Sequence, residues 1–413
     1  MKKLSSKETL FVRNILLTVV LGGFIGFLNY LFNIYVARYT SETIFGIFST
    51  SMGIIYLLQI PAISIQTILT KTVGQQKDVS WNGFKLRSFL IFSLLGILFS
   101  TLFYIFRDSV VSIANIPKES IFSLTLVFFF AFITPIPKGI LLGKEKIISV
   151  NLLLLLETVA KFVIGYIAIQ MGGDINILIL SNALPGMAIG LIALLLIKKE
   201  NIESRKKHTI NYSELVLVTL SFFLMSTPYT LDLILVNPLF RPEYSALTLI
   251  GKVVFFASTT ISSVMFARLV NQKKDSNEAR TLLISLLTTL IIGLGISFVL
   301  FLFKNSIAEL VFNSKYNGIA SLMPLYGVCM TLYAFVYMST NYLISKGSYW
   351  FISIFFSITV LQIFLFDIFN NVLDVVIRNQ IIVYVLLFLL ICLNLYININ
   401  LKKKIYDKSK QKC

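Results

Sequence analysis

At 413 residues the chain is long enough for two or three soluble domains, yet 57 % of it is hydrophobic and only 13 % charged, against about 25 % charged in a soluble domain. A chain of that composition cannot cover itself with polar surface, so lipid must form part of its solvent. The net charge of +17 is not a nucleic-acid signal, because most of the basic residues sit in short segments between apolar runs, the pattern of cytoplasmic loops in a membrane protein.

The N-terminus, MKKLSSKETLFVRN, begins like a signal peptide. The apolar run after it is too long for an h-region and lacks an Ala-x-Ala cleavage site, so it reads as a retained first span. About 20 apolar residues cross the hydrocarbon core. On that measure twelve spans are predicted, near 14–37, 44–70, 88–106, 121–143, 147–170, 175–197, 215–236, 247–269, 281–303, 321–345, 350–369 and 379–399. The longest loop between them, Lys198 to Ser213, is too short for a soluble domain.

Orientation follows from Lys and Arg. With the N-terminus cytoplasmic, the inward segments hold Lys2, Lys3, Lys7 and Arg13; Lys71, Lys77, Lys85 and Arg87; and Lys138, Lys144 and Lys146. They continue with Lys198, Lys199, Arg205, Lys206 and Lys207; Arg268, Lys273, Lys274 and Arg280; Lys346; and the basic tail. The outward loops hold only Arg38, Arg107, Lys118, Arg241, Lys304, Lys315 and Arg378. A miscounted helix would invert this bias after the error, and no inversion occurs. Both termini are therefore expected in the cytoplasm.

The Lys198–Ser213 loop divides the chain into two sets of six spans, predicting an N-terminal bundle over 1–200, a cytoplasmic linker over 201–213 and a C-terminal bundle with its basic tail over 214–413. The halves resemble each other. FNIYVARYTSETIFGIF leads into a long helix ending at Asp78, and YTLDLILVNPLFRPEYSALTLIGK into one ending at Asp275. Each unit pairs a polar residue near an outer helix end (Asn33, Asp232) with a loop glutamate (Glu42, Glu243) and a basic turn. Six helices per half preserve direction, so the repeat is parallel, about an axis along the bilayer normal. The fold class is an all-α polytopic membrane protein of about twelve helices in two pseudo-symmetric six-helix bundles.

A charge at mid-bilayer costs about 2.5–3.5 kcal/mol even on the lenient insertion scale, so each one is informative. Glu157 and Lys161 lie four apart on one face of the fifth span, Glu first, as a neutralised pair or as a headgroup-binding cation held by its carboxylate. Lys252 enters the eighth span near its outer end, either snorkelling or pairing with Asp232 of the seventh, which is too short to snorkel. Asp232 and Glu157 are the candidates for ion coupling or gating. Arg38 is an interface anchor or a bidentate grip on pyrophosphate. Asn29 and Asn33 share a face of the first span, and Gln59 and Gln66 line the second, a pattern that serves interhelical hydrogen bonding or a polar path. Prolines interrupt spans two (Pro61), four (Pro135, Pro137), six (Pro185) and seven (Pro228), and Gly22, Gly23 and Gly26 permit close packing of the first.

Cys329 and Cys392 lie in apolar runs, Cys413 is terminal and the single His208 sits in a basic loop, so neither a disulfide framework nor a zinc site is expected. No Walker, HExxH or GxSxG motif occurs. No cofactor and no catalytic residue are expected, and uphill transport would have to draw on an ion gradient.

With FNIYVARYTSETIFGIFST near the start and LDLILVNPLF, EYSALTLIGKVVFF and VMFARLVNQKK in the second half, the chain resembles the polysaccharide-export proteins, the O-antigen (lipid-linked oligosaccharide) flippases of the multidrug/oligosaccharidyl-lipid/polysaccharide superfamily. The resemblance covers nearly the whole chain through diffuse motifs. It implies a bacterial inner-membrane transporter that is no enzyme. The implied substrate is undecaprenyl pyrophosphate carrying an oligosaccharide repeat, moved to the periplasmic face by alternating access around a central cationic cavity. It also implies a polysaccharide polymerase and a chain-length regulator as partners, and no nucleic acid. Lys161, Lys252 and Arg38 would accompany the anion, Asn29, Asn33, Gln59, Gln66 and Tyr30 would contact sugars, and Asp232 would match the family's acidic residue of the seventh span. The family's proline after the aromatic of the eighth span is replaced here by Ala267. The alternatives are an ion-coupled multidrug antiporter of the same superfamily, whose cavity would be acidic or aromatic, a lipid II flippase, which usually carries extra spans, a capsule or teichoic-acid exporter, and a membrane-bound polymerase, which would need a large periplasmic loop.

Overall fold

The structure is a computed structural model; it describes residues 6–75, 81–197, 210–271, 278–313, 315–346 and 348–410. The predicted linker lies largely outside the described residues, as do Lys77, Asp78, the loop lysines, His208, Lys273, Lys274, Asp275 and Cys413.

All regular structure among the described residues is helical, and every predicted span is helix. The first is α1 (Ser6–Tyr39) and the second is α2 (Glu42–Leu58) with α3 (Ile60–Gln75). The third is α4 (Trp81–Ile105), followed by a short α5 (Arg107–Ala114). The fourth is α6 (Ser120–Ile133) with α7 (Pro135–Gly143), the fifth α8 (Ile147–Gln170), and the sixth α9 (Ile175–Leu180) with α10 (Leu184–Leu196). The seventh is split into α11 (Tyr212–Ser226), a 3-10 turn (Thr227–Tyr229) and α12 (Leu231–Leu235). Then come α13 (Arg241–Asn271), α14 (Glu278–Leu302), short α15 (Lys304–Phe312), α16 (Met323–Ser345), α17 (Phe351–Ile368) and α18 (Leu373–Lys410).

Eight stretches among the described residues are long and apolar enough to cross a membrane: 42–74, 83–105, 120–143, 147–170, 175–195, 280–302, 351–368 and 373–398. The other four predicted spans are α1, the broken seventh, α13 and α16. This is a multi-pass membrane protein.

The prolines explain the breaks. A ring lacking N–H frees the carbonyl a turn earlier and bends the axis, and the helices part at Gln59 before Pro61, at Thr134 before Pro135, at 181–183 before Pro185 and at Thr227–Tyr229 around Pro228. The counterpart of α2 and α3 in the second half, α13, has no interior proline and runs unbroken. A second likeness between the halves emerges after the third and ninth spans. Phe106-Arg107-Asp108-Ser109 opens α5 as Phe303-Lys304-Asn305-Ser306 opens α15, and both helices end in a left-handed asparagine, Asn115 at φ 47° and Asn313 at φ 51°.

Two compact units divide the chain at Ser226/Thr227. In the first, Ile65, Leu69 and Val73 of α3 pack with Phe84 and Phe92 of α4, Phe132 of α6, Ile136 and Ile140 of α7 and Leu194 of α10. The α3–α7 contact depends on a GxxxG sequence, Gly139-Ile-Leu-Leu-Gly143: a β-carbon at Gly139 would lie 2.8 Å from Leu69 Cβ, and one at Gly143 2.5 Å from Val73 Cβ. Gly22, Gly23 and Gly26, expected to serve packing, instead have no other group among the described residues within 4 Å of where a β-carbon would stand. The N-terminal end of α11 joins this unit through α3, where Lys71 Nζ meets Glu214 Oε1 at 2.5 Å. In the second unit α16 is the central helix, packed on α13, α14 and α18.

Candidate functional site

Among the described residues the first unit holds a half-buried polar cluster and a separate ion pair, and the second unit a fully buried polar cluster. In the first, Lys161 of α8 donates to Asn29 Oδ1 of α1 at 3.1 Å, and its ammonium lies 4.7 Å from the centroid of the Phe32 ring. Asn29 Nδ2 donates to Ile25 O of its own helix at 3.1 Å and to Thr158 Oγ1 of α8 at 3.3 Å. Asn33 Nδ2 donates back to Asn29 O at 2.8 Å. Beside these amides the rings of Phe32, Tyr35, Phe162 and Tyr166 form a chain with centroids 5.8–5.9 Å apart.

The sequence spacing predicts that Glu157 holds Lys161. The structure corrects this. Glu157 Oε2 instead accepts from Lys138 Nζ of α7 at 2.7 Å, with both side chains largely buried at 15 % and 11 % exposure. The basic-residue pattern puts Lys138 in an inward loop. The helix that starts at Pro135 carries it inside the bundle instead, and the loop keeps Lys144 and Lys146. The pair lies close to the Pro185-Gly186 start of α10, where a β-carbon on Gly186 would come within 3.6 Å of Glu157 Oε2. Lys161 has no carboxylate partner among the described residues.

Arg38 is half-buried at the end of α1, 6.0 Å from the ring centroid of Tyr39. Gln59 caps α2 at the proline break, and Gln66 lies on α3 with its backbone against Gly139. The side-chain amides of both are half-buried and, among the described residues, make no interhelical hydrogen bond, so only Asn29 of the four expected amides links two helices.

In the second unit Asp232 is wholly buried at 0 % exposure. Its Oδ1 accepts from the Leu233 N–H at 2.8 Å, and its Oδ2 accepts from Tyr244 OH at 3.0 Å and Tyr326 OH at 3.1 Å. Lys252 Nζ stands 3.9 Å from Oδ1 and 5.8 Å from the Tyr229 ring centroid. Of the two roles open to Lys252 in the sequence, this is the pairing. A turn away, the carbonyl of Pro228 is met by Gln362 Nε2 at 3.0 Å and Gln380 Nε2 at 2.8 Å, and Gln362 also donates to Gln380 Oε1 at 2.9 Å. These two glutamines on α17 and α18 satisfy the backbone that the broken seventh span exposes. The sequence pattern singles out neither them nor the tyrosines; a buried proline break demands such donors, but not from which helix.

A family model described as "Polysaccharide biosynthesis protein" matches residues 11–274. The chain belongs to that family. Comparison with curated proteins gives no match. Among solved structures this family member is similar to the lipid II flippase MurJ in an inward closed conformation, at a TM-score of 0.71 and 14 % identity over 92 % of this chain and 87 % of that one. It is also similar to an inward-facing multidrug resistance MATE transporter of the MOP superfamily, at 0.66 and 16 % over 89 % and 94 %. A third likeness is to a MOP superfamily transporter from Pyrococcus furiosus, described as having a binding pocket of reverse polarity, at 0.63 and 14 % over 93 % and 94 %. At such identities the likeness establishes the fold, that of the MOP superfamily transporters.

Proposed function

We propose that this chain is a flippase for a lipid-linked saccharide of the O-antigen or a related surface polysaccharide, carried on a pyrophosphate-bearing polyprenyl lipid and moved to the periplasmic face of the bacterial inner membrane. One observation carries the reading: among the described residues, the two ion pairs Lys138–Glu157 and Lys252–Asp232 leave the Lys161 cation over. Lys138 is neutralised by Glu157 and Lys252 stands beside Asp232, while Lys161 is held only by Asn29 and an aromatic ring. An uncompensated ammonium in a low-dielectric setting draws an anion, and a pyrophosphate supplies one while its lipid tail stays in the bilayer. The neighbouring amides of Asn29 and Asn33 and the Phe32–Tyr35–Phe162 rings suit hydroxyl-rich, flat-faced sugars. Membership in the polysaccharide biosynthesis family supports the same substrate class.

The likeness to a multidrug resistance MATE transporter favours a second reading, an ion-coupled multidrug antiporter. Its cavity would be acidic or aromatic; the rings beside Lys161 fit the second of these, and the uncompensated ammonium runs against the first. Deletion of the gene decides between them. Loss of surface polysaccharide, with lipid-linked repeats accumulating on the cytoplasmic face, is the expected result. Intact polysaccharide with raised sensitivity to cationic dyes would establish the antiporter instead.

A further inference from the structure

We propose that Lys252 is a built-in counter-ion occupying the position that a monovalent cation would take beside Asp232, so that this unit is closed to sodium and similar ions. The inference deepens the Asp232 part of the site and is independent of the substrate. A carboxylate with no exposure must be neutralised by a proton, by a bound cation or by a side chain. Among the described residues the groups hydrogen-bonded to it are the Leu233 N–H on Oδ1 and the two phenols on Oδ2. Those hydrogen bonds favour the charged carboxylate. The full positive charge that balances it comes from Lys252, whose side chain is itself 7 % exposed.

The geometry has a second feature. Lys252 Nζ makes no hydrogen bond to any described group and stands at 3.9 Å, a charge contact without a direct bond. A rigid ion pair would close to hydrogen-bonding distance. The ammonium stands in charge contact with the carboxylate and 5.8 Å from the centroid of the Tyr229 ring. The oxygens of the cluster, the Asp232 carboxylate and the hydroxyls of Tyr244 and Tyr326 on its Oδ2, are of the kind a hard monovalent cation takes. Removing the lysine should therefore turn the cluster into a cation site.

The test uses the full-length protein purified in detergent, with thermal unfolding followed at constant ionic strength as choline chloride is replaced by sodium, lithium or potassium chloride. Wild type should show no shift among these salts. Lys252→Met should gain a saturable rise in unfolding temperature of a few degrees with sodium or lithium over choline, and Asp232→Asn/Lys252→Met should abolish it. A sodium-dependent shift in wild type overturns the proposal, and so does a folded Lys252→Met that responds to no cation. Should Lys252→Met not fold, Asp232→Asn provides the reciprocal reading: its ammonium, left without a counter-charge, should make stability rise with chloride over gluconate, and indifference to the anion would overturn the proposal. None of these readouts uses transport, so they fail or succeed separately from the flippase reading.

Discussion

Lys161 is the residue on which the proposed substrate chemistry turns, and its surroundings fix what substitutions should do. It contributes a charge, one hydrogen bond to Asn29 and a contact with the Phe32 ring. Lys161→Ala should lower export of lipid-linked saccharide at least about tenfold, the loss of about 1.4 kcal/mol or more expected of a charge-assisted hydrogen bond, with normal membrane expression. Lys161→Arg should retain much of it, since the charge remains. Complementation of the deletion strain measures both, and full export by the alanine variant would remove the cation from the mechanism. Glu157 and Lys138 make the opposite case. Breaking a buried pair leaves an uncompensated charge and costs about 3–5 kcal/mol, whereas replacing both with apolar groups is often neutral. Glu157→Gln and Lys138→Met should each destabilise strongly in detergent unfolding, and Lys138→Met/Glu157→Leu should recover most of the loss. Additive single effects would show that the pair is not coupled.

At the scale of elements, packing is set by where a β-carbon has no room. On α13 a β-carbon at Gly251 would collide with Cδ1 of Tyr326, and Tyr326 is one of the two phenols on Asp232. Gly251→Ala should therefore displace that ring and cost about 1–3 kcal/mol by overpacking, while Gly22→Ala, on α1 with no described group within 4 Å of its β-carbon position, should change stability by less than about 0.5 kcal/mol. Unfolding midpoints of the two variants compare them directly; equal effects would mean that the α13–α16 contact is not tight. The same contrast marks what the sequence discloses. Span positions and breaks are legible, because hydropathy and proline are local: Pro61, Pro135, Pro185 and Pro228 each stand at a helix break. Pairing across helices is not. The i,i+4 spacing of Glu157 and Lys161 is a true local geometry, yet a third charge arriving from α7 takes the carboxylate. Lys138 stays hidden because a hydropathy reading places any lysine near a span end in the loop. Asp232 and Lys252 are legible as a pair because few charges compete nearby, but their tyrosines come from α13 and α16, 12 and 94 residues away.

For the whole molecule, the proposed direction of transport depends on which loops face the cytoplasm. Moving Lys138 into the bundle removes one basic residue from the inward loops, but the turn between α7 and α8 still carries Lys144 and Lys146. The loop between α5 and α6 carries Lys118, already engaged by Asp108 at 3.2 Å. Between Lys118 and Lys146 lies a single crossing, 120–143, whose 24 residues extend about 36 Å and exceed the roughly 30 Å hydrocarbon core. The two lysines must then lie on opposite faces. In a background with Cys329, Cys392 and Cys413 replaced by serine, Lys118→Cys should react with a membrane-impermeant maleimide in intact spheroplasts, and Lys146→Cys only after lysis. Both positions are exposed enough to report. The reverse pattern would mean that the basic-residue bias misorients the chain and that the proposed flux runs the other way. Labelling of both from one side would mean that α6 and α7, parted at Thr134, form a re-entrant pair rather than one span. That outcome would alter the parity of every later helix and place the α18 tail on the opposite face from the N-terminus.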